Sequence, residues 1–384
     1  MQNGLGVPTF GGSGYPLYLL RRMSLLSLTR SNIRLNYLHL KPIMKLSYQP
    51  FELELRHRFT IAKFSRTSTP LMLVQVEHEG QIGYGEASMV PYMGESYDTA
   101  TAFLNKLDMG RIRFPFSFDM ITSYLDSIAA GQPAIKAAID IALHDLDGKL
   151  QNKPCWQLLG TEPARMPDTS FTVGIDTPEV LREKIKGGDD CEIIKVKLGR
   201  DNDKELINTI RSITGKPLFV DANQGWTDRQ KSLEMTHWLH EQGVLLIEQP
   251  MAKTDPESNA WLSARSPVPI IGDEAVQRLA DVGPAANVYN GINIKLMKSG
   301  GTHEAKLMIN KARELNLKLM IGCMSETSCA TLAAAALAPQ CDWADLDGPF
   351  LTANNPYKMP QFTDGKWVLN NHAGLGLELA ENIH

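Results

Sequence analysis

Between residues 167 and 346 short apolar runs alternate with longer stretches in which apolar residues recur every three or four positions. The short runs read as strands at Ser170–Gly174, Ile193–Leu198, Leu218–Asp221, Leu245–Glu248, Ile270–Asp273, Gly291–Lys295, Lys318–Gly322 and Trp343–Leu346. The clearest helical patterns between them are Asp203–Ile213, Asp228–Gln242, Gly301–Leu315 and Thr327–Leu337. Strand starts fall 20 to 28 residues apart, the length of one βα unit, and eight such units make an α/β chain that closes as a (β/α)8 TIM barrel. Before the barrel the texture differs. Leu71–Val76 and Gln81–Glu86 flank the turn His78-Glu79-Gly80 as antiparallel strands, and Ala134–Leu150 has helical spacing. The tail from Tyr357 returns to strand-like sequence around Gly374 and Gly376, as though it packs back on the N-terminal part.

Charge changes the picture at one end. Residues 1–43 contain no acid but carry Arg21, Arg22, Arg30, Arg34 and Lys41. Removing these five charges from the total of −4 leaves −9 for Met44–His384. An Arg-rich, acid-free start is the composition of a targeting segment, but its charges follow its apolar residues and no small-residue cleavage site ends it. It is therefore expected to be an extension, non-native or disordered, with Met44 as the functional start. The acidic remainder excludes a large basic surface for nucleic acid. No stretch of roughly 20 apolar residues marks a membrane span. The five cysteines form no CxxC pair, which disfavours a zinc ribbon or disulfide framework and suits a cytoplasmic location.

Candidate chemistry comes from where the barrel strands end. Catalytic groups of such a barrel lie at the C-terminal ends of its strands. Strand two ends Lys195-Val196-Lys197, strand three Asp221-Ala222-Asn223, strand four Glu248-Gln249, strand five Asp273-Glu274, strand six Lys295, and strand eight Asp345-Leu346-Asp347. Taken singly, a charge at a strand end is an ordinary solvated terminus or helix cap. Together, Asp221, Glu248 and Asp273 on consecutive strands make an all-oxygen set suited to a hard divalent ion such as Mg²⁺. Lysines on strands two and six would flank that ion. Alternation places Lys195 and Lys197 on one face, and Asp345 and Asp347 on one face.

These residues resemble the enolase superfamily, specifically its muconate-lactonizing subgroup, over Met44–His384. The resemblance implies a modified (β/α)8 barrel at 166–350 and an α+β capping domain made from 44–165 and the returning segment 351–384. It implies Mg²⁺ on Asp221, Glu248 and Asp273, Lys197 and Lys295 as acid/base catalysts, and Lys195 and Asn223 as supporting residues. The pairing of a Lys or His base with Mg²⁺ to stabilise an ene-diolate is a stated general property of this superfamily. A histidine base near strand seven, as in the mandelate-racemase subgroup, is missing from Ile321-Gly322-Cys323-Met324-Ser325; Met324 is expected to line the substrate pocket. Mg²⁺ offsets the charge that builds when a proton leaves the carbon next to a carboxylate. A lysine acting as base must be neutral, and Lys195 is expected to lower the pKa of Lys197 by repulsion. One lysine on each face of the carbanion inverts the centre.

The substrate is read from two further features. The resemblance to dipeptide epimerases makes Asp345 and Asp347 the grip on a substrate α-ammonium; the plainer alternative is a cap on the turn before Gly348-Pro349. Arg66, in the segment Ala62–Thr67 matching a mobile substrate-closing loop, resembles the arginine that selects glutamate in enzymes acting on L-Ala-D/L-Glu, a dipeptide of bacterial cell-wall peptide. The capping loop Met89–Tyr97 is expected to line the pocket. The expected activity is Mg²⁺-dependent dipeptide epimerisation. An o-succinylbenzoate synthase or cycloisomerase of the same subgroup, or a non-catalytic binding barrel, stands as the alternative. Partners are a small dipeptide, without nucleic acid or membrane. The oligomeric state stays open, with even-numbered rings common in the superfamily. His144, among alanines and leucines, reads as structural, and Ser299-Gly300-Gly301 as a tight turn between strand and helix.

Overall fold

The computed structural model describes residues 44–60, 65–174 and 176–381 (of Tyr92 only the backbone). The 1–43 extension lies outside the described residues, as do residues 61–64. Three antiparallel strands open the fold: β1 (Lys45–Thr60), β2 (Ser65–His78) and β3 (Gln81–Ser88), in the order β1-β2-β3. The β1–β2 register is irregular between Glu54 and Phe59, then resumes with Phe59 opposite Arg66. Four helices follow: α1 (Tyr97–Leu104), α2 (Phe118–Ile128), α3 (Pro133–Gln151) and α4 (Cys155–Leu158). Helix α3 lies against β3 almost backbone to backbone. A Cβ added at Gly83 or Gly85 would stand 2.0 Å or 1.9 Å from the carbonyl oxygens of Ala142 and Ala138. This contact requires glycine.

The barrel strands are β4 (Ser170–Val173), β5 (Ile193–Lys197), β6 (Leu218–Asp221), β7 (Val244–Glu248), β8 (Ile270–Gly272), β9 (Gly291–Lys295), β10 (Lys318–Gly322) and β11 (Trp343–Asp345). They pair in parallel in sequence order, and a parallel bridge between Thr169 and Ala344 links the last strand to the first. The sequence-derived strands coincide with these to within a residue at each end. Helices α5 (Pro178–Gly187), α6 (Asp203–Arg211), α7 (Arg229–Glu241), α8 (Pro256–Ser263) and α9 (Leu279–Ala285) connect the first six strands. After β9 come a one-turn helix α10 (Leu296–Ser299) and then α11 (Thr302–Glu314); α12 (Ser328–Ala335) follows β10 and α13 (Gly348–Leu351) follows β11.

The alternation along these strands explains the architecture. Inward residues Ile193, Phe219, Leu246, Ile271 and Met320 form a closed apolar layer inside the barrel. Outward residues such as Ile194, Val196, Val220, Ile247, Ile292 and Ile321 join the larger core under the helices. Two positions beyond the inner layer, and therefore again inward, come Lys195, Asp221, Glu248 and Asp273. The tail contacts the N-terminal part. Ala353 N–H donates to Glu54 O at 2.9 Å, and Cys155 N–H to Gly374 O at 2.7 Å. The five cysteines are free and buried. Among the described residues no helix is long and apolar enough to cross a membrane.

Two features outside the barrel mouth, His144 and the Gly300-Gly301 turn, are structural. His144 stacks on Phe118 with ring centroids 3.7 Å apart, its Nδ1 2.9 Å from Asp140 O. Gly300 (φ 79°) and Gly301 (φ 124°) make the turn into α11, and Asp140 Oδ1 accepts the Thr302 N–H at its start at 2.5 Å. That occupied helix start takes no anion.

Candidate active site

Strand register sets the site. Lys197 stands opposite Asp221, and Asp221 opposite Glu248, at the C-terminal rim of the barrel. Asp273 follows β8 immediately, and the ligand oxygens of Asp221, Glu248 and Asp273 lie within 4.8 Å of one another, all buried. The chain turns sharply after two of these strands: Asn223 (φ 43°) and Gln249 (φ 36°) both take left-handed conformations. Such conformations cost energy for non-glycine residues and are held by the surroundings. Here the Gln249 amide donates to Met251 O and accepts Asp273 N–H at 3.0 Å, tying strand four to strand five.

Each carboxylate of the trio has one oxygen held by a donor other than Lys197 and Lys295, although Lys295 Nζ also comes within 3.8 Å of Glu248 Oε1. Asp221 Oδ1 accepts Asn223 N–H at 2.9 Å, Glu248 Oε1 accepts the Asn293 amide at 2.8 Å, and Asp273 Oδ1 accepts Lys298 Nζ at 2.5 Å. The other oxygens meet the lysines. Lys197 Nζ lies 2.6 Å from Asp221 Oδ2, Lys295 Nζ 2.7 Å from Asp273 Oδ2, and Lys195 Nζ 2.5 Å from Glu248 Oε2. Burial and the facing Asp221 push Glu248 up to about 7. Burial also works against the charge on Asp273, but Lys295 and Lys298 outweigh it and hold its carboxyl well below the usual range. Three buried carboxylates this close repel one another unless a cation sits among them. The oxygen-only donor set fits a hard divalent metal.

Lys195 is placed differently from its neighbour two residues on. It is fully buried and also reaches Asp345 Oδ2 at 2.5 Å and Asp221 Oδ2 at 3.7 Å. Burial opposes its charge, yet Asp345, Glu248 and Asp221 together hold its ammonium well above the usual lysine range. It is a fixed positive charge beneath the cavity, while Lys197 and Lys295 line the cavity itself.

Asp345 and Asp347 both line that cavity. They do so from different elements, because β11 ends at Asp345 and Asp347 begins the turn into α13. Asp345 accepts Ser170 Oγ at 2.8 Å, and burial, which disfavours its charge, is outweighed by Lys195 and then Lys197. Its charge thus already has a partner in Lys195, which the sequence did not reveal. Asp347 accepts Thr172 N–H at 2.6 Å and makes no cap bond to the helix that follows. Burial and then Asp345 push its carboxyl up to about 6. The plain capping role is therefore not what its side chain performs.

Arg66 is a strand residue in β2 rather than part of a loop, since the ladder resumes at Phe59–Arg66; residues 62–64 of the expected loop lie outside the described residues. Its Nη2 donates to Ser325 Oγ at 2.7 Å, and its guanidinium lies 5.3 Å from the Phe59 ring centroid. Met324, Asn223 and Met93 of the 89–97 loop also line the cavity. The Asn223 amide donates to Asp221 Oδ2 at 3.2 Å. Lys298, Ser325, Thr172, Asn293 and Ser170 are the residues that the strand ends did not point to. Lys298 had a signal: it is three positions after Lys295, one helical turn on.

With this geometry in place, likeness to known proteins is specific. Residues 50–160 match the mandelate racemase / muconate lactonizing enzyme N-terminal domain, and residues 179–383 the enolase C-terminal domain-like family. An L-Ala-D/L-Glu epimerase of Bacteroides thetaiotaomicron is 48% identical over 351 residues, covering 90% of this chain and 91% of that one. An L-Ala-D/L-amino acid epimerase of Pedosphaera parvula is 39% identical, covering 82% and 92%. A crystal structure of the dipeptide epimerase from Enterococcus faecalis, complexed with Mg and L-Leu-L-Tyr, superposes with a TM-score of 0.80 at 30% identity, covering 87% of this chain and 98% of that one. The chain belongs to the enolase superfamily and, within it, to the dipeptide epimerases.

Proposed function

We propose that the chain inverts the glutamate α-carbon of L-Ala-D/L-Glu, using Mg²⁺ held by Asp221, Glu248 and Asp273. The observation that carries this is the lysine arrangement. Lys197 and Lys295 sit on opposite flanks of the trio, one bonded to Asp221 and the other to Asp273, and both open to the same cavity. The bound ion would offset negative charge developing on the substrate carboxylate.

The chain's own groups divide the remaining work. One of Lys197 and Lys295 takes the α-proton on its Nζ and the other returns a proton to the opposite face of the planar enolate. The same pair in exchanged roles runs the reverse reaction, so both epimers are substrates. Lys195 stays charged and anchors Glu248 and Asp345. Asp347 and Asp345 receive the α-ammonium of the N-terminal residue; Asp347, crowded by Asp345, gains most from it. Arg66 receives the glutamate side-chain carboxylate, a planar fork suited to a planar acceptor. Its bond to Ser325 fixes the fork at the cavity wall. Cell-wall peptide is the source this substrate implies, with the cytoplasm as the place of action.

The test is incubation with Mg²⁺ and L-Ala-L-Glu in D₂O. Deuterium should enter at the glutamate α-carbon alone, with L-Ala-D-Glu accumulating alongside. Absence of exchange from this dipeptide and from a panel of other L,L-dipeptides would end the proposal. Turnover of a substrate lacking an ammonium, unaffected by Asp345→Asn and Asp347→Asn, would instead support the synthase or cycloisomerase alternative.

A further inference from the structure

Lys298 is not needed for the proton transfers above, yet it is among the most completely buried cations of the described residues, with a side chain 2% exposed. Its ammonium has three N–H bonds to give. Three backbone carbonyls would satisfy it: Asp273 O at 2.7 Å, Val276 O at 2.9 Å and Asn293 O at 2.9 Å. It nevertheless makes a fourth contact, shorter than these, to Asp273 Oδ1 at 2.5 Å. The carbonyls satisfy the N–H groups, and the carboxylate supplies the countercharge of a buried ammonium while committing one of its own oxygens. The one-turn helix α10 and the left-handed Gly300 behind it hold Lys298 at this place.

The same pattern recurs across the trio. One oxygen of Asp221 is taken by the Asn223 N–H and one of Glu248 by the Asn293 amide. Asn293 has room because strand β10 carries Gly322 beside it; a Cβ there would lie 2.7 Å from Asn293 Oδ1. The second oxygen of each carboxylate meets Lys197, Lys195 or Lys295, so an ion that takes over that contact gains one oxygen, and it gains the other only by breaking a further buried bond. That restriction matters differently to different ions. Mg²⁺ takes about six ligands in strict octahedral geometry and accepts single oxygens, whereas Ca²⁺ is larger, takes about six to eight, and gathers them by chelating carboxylates through both oxygens.

We infer that Lys298 selects Mg²⁺ against Ca²⁺ by occupying the Asp273 oxygen that a larger ion would need for chelation, with Asn293 doing the same at Glu248. This rests on the trio being the metal site. Lys298 is a positioning residue, acting through Asp273. Its ammonium, being charged, is also harder to displace than a neutral donor.

The experiment uses the full chain, stripped with a chelator, and measures binding of Mg²⁺ and of Ca²⁺ separately by calorimetry with no dipeptide present. Lys298→Met should lower the ratio of the Ca²⁺ to the Mg²⁺ dissociation constant by about tenfold or more, because Asp273 becomes free to chelate. Lys298→Arg, which keeps a charged donor, should hold the ratio within about threefold of the parent. If Lys298→Met fails to fold by circular dichroism, Asn293→Leu decides, since freeing Glu248 Oε1 should move the ratio in the same direction. A folded variant that weakens both ions equally and leaves the ratio unchanged overturns the inference and makes Lys298 a brace. A parent protein that binds neither ion overturns the metal site itself, and this inference with it.

Discussion

The inner layer of the barrel and the rim two residues above it are made by the same strands, yet they obey opposite rules. Phe219, Leu246, Ile271 and Met320 are fully buried and pack with one another, Ile193 and Trp343 in one apolar layer. Asp221 and Glu248 are equally buried, and each is matched to a lysine at 3.7 Å or less. The lower layer contributes burial, roughly 2 kcal/mol for each large side chain. The upper layer removes charges from water and recovers that cost only through mutual pairing, so it contributes little to stability and can be detrimental when one member is lost. What it supplies is placement of ionised groups in a water-poor cavity, where their interactions are strong.

The largest effect expected from separating the two layers is at the lysines. Lys295→Ala or Lys197→Ala should reduce epimerisation of L-Ala-L-Glu by at least about a thousandfold, within the range of general acid–base catalysis. In D₂O the two variants should also split the exchange. With one lysine gone, the epimer whose α-hydrogen faces the surviving lysine can still wash in deuterium without inversion. If both variants lose exchange from both epimers equally, the two-base arrangement is wrong, while the substrate class is left standing. Phe219→Ala should do the reverse. It should cost about 3–5 kcal/mol in unfolding free energy while the folded fraction keeps its kcat. A large loss of kcat in folded Phe219→Ala would show that the layers are not separable.

That separation was legible in advance wherever a period of two carries the information. Strand bounds, Lys195, the carboxylate trio and Asp345 follow from apolar residues continuing into charged ones on the same face, whereas Asp347 reaches the cavity from the turn beyond β11. What crosses the barrel was not legible. The Lys195–Asp345 pair joins the second and last strands through the interior, and no spacing along the chain reports a contact across a closed sheet. Lys298 escaped because it lies on a one-turn helix past a strand end rather than on the strand. Arg66 lines the expected cavity, but from strand β2 rather than from a loop. The irregularity between Glu54 and Phe59 lets the β1–β2 ladder resume further out than the alternation suggests. Ser325, Ser170 and Thr172 are small hydroxyl residues whose sequence context is ordinary, and only their partners distinguish them.

A smaller effect should sharpen the comparison from the cap side. Arg66 meets the rim without belonging to it, so its loss should leave the proton chemistry intact. Arg66→Met should raise KM for L-Ala-L-Glu about tenfold or more with kcat changed less, as expected for a lost charged hydrogen bond to substrate. KM for L-Ala-L-Leu should not rise. Equal losses for both dipeptides would place Arg66 in the architecture of the wall rather than in recognition of the side-chain carboxylate.

The smallest effect tests whether the rim is held at a cost to stability. Burial and the neighbouring Asp345 raise the Asp347 carboxyl to about 6 in the folded chain, against about 3.9 when unfolded. The folded state therefore binds this proton more tightly. The stability that proton contributes is fully present below about pH 4 and is lost as pH rises through about 6. At neutral pH the ionised Asp347 is then a destabilising charge in the absence of ligand. Asp347→Asn keeps an acceptor for the Thr172 N–H and removes the titration. Its melting temperature should gain on the parent by a few degrees between pH 5 and pH 7.5, while L-Ala-L-Glu turnover falls. Adding Mg²⁺ and dipeptide at pH 7.5 should reverse the order, because the substrate ammonium offsets the Asp347 charge only in the parent, and ligand binding to the folded state raises its stability. If the two proteins melt in parallel across that pH range, the charge at Asp347 is compensated from within the protein, as Asp345 is by Lys195, and Asp347 has no need of a substrate cation.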